Sequence, residues 1–220
     1  LTIKGERTIS QNDSISFGYG SEYKYDWGAF ENRGSYAAST KGHVKDLGLF
    51  ANAGFKISEN QILSIYGRTD GHNTTGSNQT YKLNFTQTFG QLKLAATHST
   101  GLRNPSLYEL YGSDNYGIRG NPNLKPEKSK TNEIYGEYNF SEKLKFTSTA
   151  YRAEIFDRIE SNATYSRHEN QLISLNQEGL ESELLFNGNN QVFGLFTNIS
   201  KSKKTRKYKK RTFPEPGFLK

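Results

Sequence analysis

Tight turns and long polar connections alternate along this sequence, and that parity restricts the fold more than any other feature. The tight turns fall at 58–60, around Gly90, at 141–142 and at 188–190. Between them lie polar stretches at 27–43, 71–78, 101–128 and 159–170, and another opens at the lysine-rich run 201–211. The segments in between mix Tyr, Phe, Ile, Leu and Thr with polar partners and lack helical periodicity, so they read as strands. Strands are expected at 14–26, 44–57, 61–70, 79–89, 91–100, 129–140, 143–158, 171–186 and 191–201, with a remnant at 1–9. Residues 81–89 (YKLNFTQTF) alternate most cleanly. Tyr81, Leu83, Phe85 and Phe89 take one face there, and Lys82, Asn84, Thr86 and Thr88 the other. Leu92 and Leu94 repeat the pattern, with Lys93 on the opposite parity.

Antiparallel pairing puts every tight turn at one rim and every long connection at the other. The chain therefore reads as all-β, an antiparallel transmembrane β-barrel meander of about nine strands taken from a larger barrel. A soluble sandwich would show shorter strands and no such parity. Mean hydropathy of −0.82 fits a wall with one face on lipid and the other on water or a plug. Tyr81, Leu83, Phe85, Leu92 and Leu94 are then expected to face lipid, and Lys82, Asn84 and Lys93 the interior.

Charge and composition narrow the function. Eight of the 29 lysines and arginines fall in 201–211, and 22 acidic residues balance the rest, so there is no extended basic face and no nucleic acid partner is expected. The run itself reads as a solvated, flexible loop, able to hold lipopolysaccharide phosphates or steer an anionic ligand. With no cysteine, neither disulfides nor thiolate metal sites are available. His43, His72, His98 and His168 are too scattered for a metal site, and none is expected. No nucleophile elbow, P-loop or dinucleotide fingerprint occurs, so neither catalysis nor a cofactor is expected.

The long connection 101–128 carries the most specific pattern. It reads GLRNPSLYELYG (101–112), SDNYGIR (113–119) and GNPNLKPE (120–127). Ser106 and Glu109 have capping-box spacing, which predicts a short helical turn. Pro122 and Pro126 hold the residues before them extended, so 121–126 is expected to be a stiff hook. The order and spacing of Arg103, Pro105, Ser106 and Glu109, then Gly120, Asn121, Pro122, Leu124, Pro126 and Glu127, closely resemble the signature of TonB-dependent outer-membrane receptors. Residues 150–159 and 176–181 resemble that family's next outward and return strands.

The resemblance implies a plugged barrel of about 22 strands in the outer membrane of a Gram-negative bacterium. It implies uptake of a metal-siderophore or cobalamin on energy relayed by TonB. The plug, with its TonB-contacting segment, is then expected before Leu1 and further strands after Lys220, so residues 1–220 would be a partial barrel domain. The ten signature residues are expected to anchor the loop. Ligand contact is expected from Tyr108, Tyr111, Tyr116 and Arg119, with Trp27 and Tyr165 as further aromatic candidates, although such rings also form girdles at membrane interfaces. A passive porin or adhesin barrel and a secreted β-sandwich module remain as alternatives.

Overall fold

A computed structural model describes residues 1–12, 14–31, 38–189 and 191–206. Ten long strands form one antiparallel sheet: β1 (Thr2–Asn12), β2 (Ile15–Glu31), β3 (Ala38–Ser58), β4 (Gln61–His72), β5 (Gly76–Phe89), β6 (Leu92–Arg103), β8 (Glu127–Asn139), β9 (Leu144–Phe156), β12 (Ile173–Asn187) and β13 (Val192–Arg206). Each pairs with the long strand before and after it in the chain. The excursion between β6 and β8 holds helix α1 (Leu107–Tyr111) and the short strand β7 (Gly112–Asp114), which pairs with the start of β3. Strands β10 (Ile159–Ser161) and β11 (His168–Asn170) form a hairpin of their own.

Direct cross-strand partners share a face, so the register sorts the side chains. One face carries Phe17, Tyr19, Leu47, Leu49, Leu63, Ile65, Tyr81, Leu83, Phe85, Leu92, Leu94, Ile134, Leu180, Leu184, Leu195 and Ile199. Most of these large side chains are exposed, as suits a surface whose solvent is lipid rather than water. The other face carries Glu22, Asp46, Arg68, Asp70, Lys82, Asn84, Lys93, Glu133 and Glu137. Lys82 and Lys93 thus stand opposite the apolar set, as the alternation predicts. Ion pairs knit this polar face, Arg68 reaching across to Glu22 of β2 at 2.9 Å and along its own strand to Asp70 at 2.7 Å.

The turns behave as the parity requires. β5 returns into β6 through Gly90 and Gln91, and Gly90 has φ 57°, a conformation open to glycine at little cost. Arg103, at the far end of β6, pairs with Glu127. Twelve residues at strand rise put the loop 104–126 roughly 37 Å from the Gly90 turn, at the opposite rim.

Three expected connections are instead largely strand. β2 runs to Glu31 and β3 begins at Ala38, so only 32–37 of the expected loop 27–43 falls outside the ladder, and those residues lie outside the described ones. Likewise 71–78 shrinks to 73–75, because Asp70–Asn78, Gly71–Ser77 and His72–Gly76 are paired. The basic run is not a loop as far as it is described: Lys201–Arg206 continue β13 against β12, and 207–211 lie outside the described residues. The reason is common to all three. Beyond the apolar band both faces are polar and the alternation vanishes, while the backbone ladder continues regardless of side-chain type. The remnant expected at 1–9 is a full strand for the same reason.

Candidate functional site

Loop 104–126 is held by side chains that the sequence pattern singles out. Ser106 lies in an extended conformation (φ −71°, ψ 162°) and caps α1: its Oγ accepts from the Glu109 N–H at 3.2 Å, and Glu109 Oε2 accepts from the Ser106 N–H at 2.7 Å. The predicted capping box is therefore present. The same Glu109 carboxylate receives two bonds from the Arg103 guanidinium, at 3.0 and 3.2 Å. Arg103 also grips Glu127 with two more, at 2.8 and 2.7 Å, and Glu127 accepts from the Ile159 N–H at 2.7 Å. One arginine thus ties the start of the loop, its helix and its end into a clasp, and Glu127 extends it to the neighbouring hairpin.

The electrostatics follow from that geometry. Hydrogen bonds from Arg103 hold the Glu127 carboxyl below its ordinary range against some desolvation, and the Ile159 amide adds to them. Burial acts to raise Glu109, but bonds from Arg103 and Ser106 outweigh it and leave the carboxyl lowered. Arg103 itself is shifted upward by both carboxylates. Because the Arg103 side chain is 46% exposed, water screens much of this attraction.

The hook packs on the helix it follows. Asn121 N–H donates to Glu109 O at 2.9 Å and Gly120 N–H to Gly112 O at 2.7 Å. A Cβ at Gly120 would lie 2.5 Å from the Leu110 carbonyl and the Tyr111 nitrogen, so only glycine lets the two backbones approach this closely. Leu110 and Leu124 are 1% and 2% exposed and form a small core with Val44 and Ile159. Pro105 and Pro126 are buried, whereas Pro122 is exposed. The Asn121 amide donates to His168 O, and its Oδ1 accepts from the Asn123 N–H. Asn170 closes the hook from the hairpin side: it accepts from the Lys125 N–H at 2.8 Å and donates to Lys125 O at 2.8 Å and Asp157 O at 2.7 Å.

The aromatic candidates divide. Tyr111 lies against Gly42 and packs beside the core, and Tyr108 stands edge-on to His168 with its hydroxyl bonded to Asp114 at 3.2 Å. Burial, followed by Asp114, raises the Tyr108 phenol. Tyr116 and Tyr165 are 67% and 71% exposed at the tips of their loops. Arg119 joins those loops: its N–H donates to Ser166 O at 2.8 Å, it bridges to Arg167, and its guanidinium holds Asp114 O and Ile118 O. Trp27 lies on the other face of the sheet from this cluster, the apolar one, across from His43, where an interfacial ring belongs. Asn170, Ile159 and Val44 were absent from the sequence-derived set, and an isolated asparagine in a polar loop carries no signal that could have marked it.

What is assembled is a self-capped, cross-braced loop presenting Tyr116 and Arg119 beside the exposed Tyr165 of the neighbouring hairpin. No group of three or more His, Asp or Glu side chains suited to a metal occurs among the described residues. Comparison with known proteins agrees with the signature. The sequence model of a family described as "TonB dependent receptor-like, beta-barrel" matches residues 3–209. The vitamin B12 transporter BtuB of Photobacterium profundum is 32% identical over 166 residues, which are 70% of this chain and 25% of that protein. The chain thus spans about a quarter of that relative's length. Among solved structures, the siderophore receptor PirA of Pseudomonas aeruginosa superposes with TM-score 0.73 at 17% identity, over 92% of this chain and 42% of its own. The ferric enterobactin receptor PfeA of the same organism gives 0.71 at 20%, over 90% and 35%. At those identities the likeness is one of fold.

Proposed function

Because this chain belongs to the TonB-dependent receptor-like β-barrel family, we propose that it forms part of the barrel wall of a Gram-negative outer-membrane receptor that imports a scarce chelate on energy relayed by TonB. The plug and the remaining strands of the barrel lie outside residues 1–220 in this reading. Cobalamin is the first ligand to test, since the 32% identical relative is a vitamin B12 transporter; a ferric siderophore is the second. The observation that carries the reading is the Arg103 clasp. A loop at the rim opposite the tight turns, fixed by four guanidinium bonds and a buried core, can hold Tyr116, Tyr165 and Arg119 in place with little ordering left to do on binding. Tyr108 and Tyr111 stiffen the same loop from beneath.

The test is uptake by the complete receptor in cells that lack their own. Labelled cobalamin and a ferric siderophore are supplied separately, with TonB present or deleted. Uptake of one ligand that disappears with TonB is the expected result. Uptake that survives TonB deletion would make the barrel a passive channel, and uptake of neither would remove both ligand assignments.

A further inference from the structure

A closed circuit of polar side chains lies under the start of loop 104–126 and takes no part in the clasp. Asp46 and His72 are direct cross-strand partners on the polar face of β3 and β4, beyond the apolar band. His72 Nδ1 accepts from the Thr74 N–H at 3.3 Å and the Thr75 N–H at 3.4 Å, with the Thr74 hydroxyl at 2.9 Å. Backbone amides only donate, so the proton of the neutral ring is on Nε2. Thr75 Oγ1 in turn donates to Asn104 Oδ1 at 2.9 Å, and Asn104 Nδ2 donates to Asp46 Oδ2 at 3.4 Å. The circuit of His72, Thr75, Asn104 and Asp46 thus ties the β4–β5 turn to the first residue of the loop. One atom in it is left over: Asp46 Oδ1 is buried and has no hydrogen-bond partner.

The charges around the circuit do not balance. Arg68 is shared by Asp70 and Glu22, and Lys24 also pairs with Glu22, so the carboxylates of Asp46, Asp70 and Glu22 meet two cations. Asp26, one rung higher on β2, adds to the deficit. Lys4 is taken up by Glu6, and Arg103 by Glu109 and Glu127. The facing positions of β5 are Gly76 and Asn78, which carry no charge. Asp46 therefore makes no ion pair among the described residues, although its cross-strand partner is a histidine. His72 and Asp70 are each 6% exposed. Burial lowers the His72 imidazole against the pull of Asp46, and it raises the Asp46 carboxyl, with Asp70 adding to the rise.

We propose that this circuit is a proton-operated switch with two hydrogen-bond arrangements. With His72 neutral, its ring holds the turn, the turn holds Asn104, and Asn104 holds Asp46. A proton arriving at Nδ1 displaces the three donors there, and the imidazolium pairs with Asp46, whose unused oxygen accepts it. The turn then lets go of Asn104, while Arg103, one residue earlier, stays clasped. Because burial favours the neutral ring, the turn's bonds are complete above the ordinary histidine pKa of about 6.5 and are lost as pH falls from there through the lowered folded value. Acid therefore uncouples the turn first and opens the glutamate clasp only afterwards.

The complete receptor in detergent is followed by amide hydrogen exchange at Thr74 and Thr75, corrected for the intrinsic rate at each pH. The Asn73 N–H, held by Lys45 O at 3.0 Å, is the reference. Between about pH 7.5 and 5, exchange at the two threonines should rise by about tenfold or more relative to Asn73. His72→Asn keeps a neutral acceptor on the short side chain but cannot take the proton, and it should abolish the rise. Asp46→Asn removes the anion that receives the imidazolium and should move the rise to lower pH. No rise in the parent, a rise that survives His72→Asn, or one that Asp46→Asn leaves in place or moves upward each overturn the proposal; the second would give the proton to a carboxylate. Unheated electrophoretic mobility reports barrel folding, and if His72→Asn fails there, the direction of the shift in Asp46→Asn decides alone.

Discussion

Arg103 and Glu127 face each other across the last rung of the β6–β8 ladder and are joined by two hydrogen bonds of 2.8 and 2.7 Å. They are 24 residues apart in the chain, and the whole of the family signature lies between them.

Replacing Glu127 should therefore loosen both ends of the loop. Glu127→Ala removes two guanidinium bonds and leaves the Ile159 N–H without its acceptor, at a cost of about 1–3 kcal/mol for the unpaired donor. Glu127→Gln keeps an acceptor and should cost less. Hydrogen exchange at Ile159 and across 104–126 measures both, and equal protection in Glu127→Ala and the parent would show that the clasp is ornamental.

Acid should open the same clasp. Glu109 and Glu127 have folded-state pKa values held below their unfolded ones, so their contribution is complete above the ordinary glutamate pKa of about 4.3 and is lost as pH falls through the depressed values. Loop protection is expected to stay flat from about pH 8 to 5 and to decline below about 4. A decline centred near neutrality would assign the opening to other groups.

Gly120→Ala should disorder the hook, since the added methyl meets backbone atoms that have no rotamer to escape into; overpacking of this kind costs about 1–3 kcal/mol. Gly67→Ala, where a Cβ meets nothing within 4 Å, serves as the comparison. Limited proteolysis between 104 and 126 should accelerate in the first variant and not in the second.

The two faces of β5 should respond oppositely to charge. Leu83→Arg puts a guanidinium against hydrocarbon, at about 2–4 kcal/mol near mid-membrane, whereas Asn84→Arg one residue along should lie within about 0.5 kcal/mol of the parent. Urea unfolding from lipid vesicles compares them. Equal costs would mean that the alternation does not divide lipid from interior.

Sequence alone revealed the meander, its rims and the Ser106–Glu109 cap, because turn chemistry, period-two alternation and a capping box are local signals; Arg103 and Glu127 were marked only by the resemblance to the family signature. It did not reveal where strands end at the long-loop rim. Residues 27–31, 71–72 and 201–206 lack alternation, since they lie beyond the apolar band, yet their backbones stay paired. Nor did it reveal Asn170, whose three bonds to Lys125 and Asp157 arise only when two loops distant in sequence come together. Tyr111 and Tyr116 looked equivalent as aromatics of one loop; their separation into a packed ring and an exposed one depends on Gly42, about 70 residues away, giving Tyr111 a flat seat.

Every long strand pairs with the long strands on either side of it in the chain, and beyond these only β3 takes a further partner, the short β7. Such a sheet has low contact order for its size: each new ladder closes a loop of a few residues, apart from the excursions 104–126 and 157–172, and loop-closure entropy grows only slowly with length. Assembly can therefore run as a zipper in either chain direction, each hairpin presenting a finished edge to the next. The loop between β6 and β8 is the widest gap the zipper must cross, and Arg103 meeting Glu127 is the first rung on its far side.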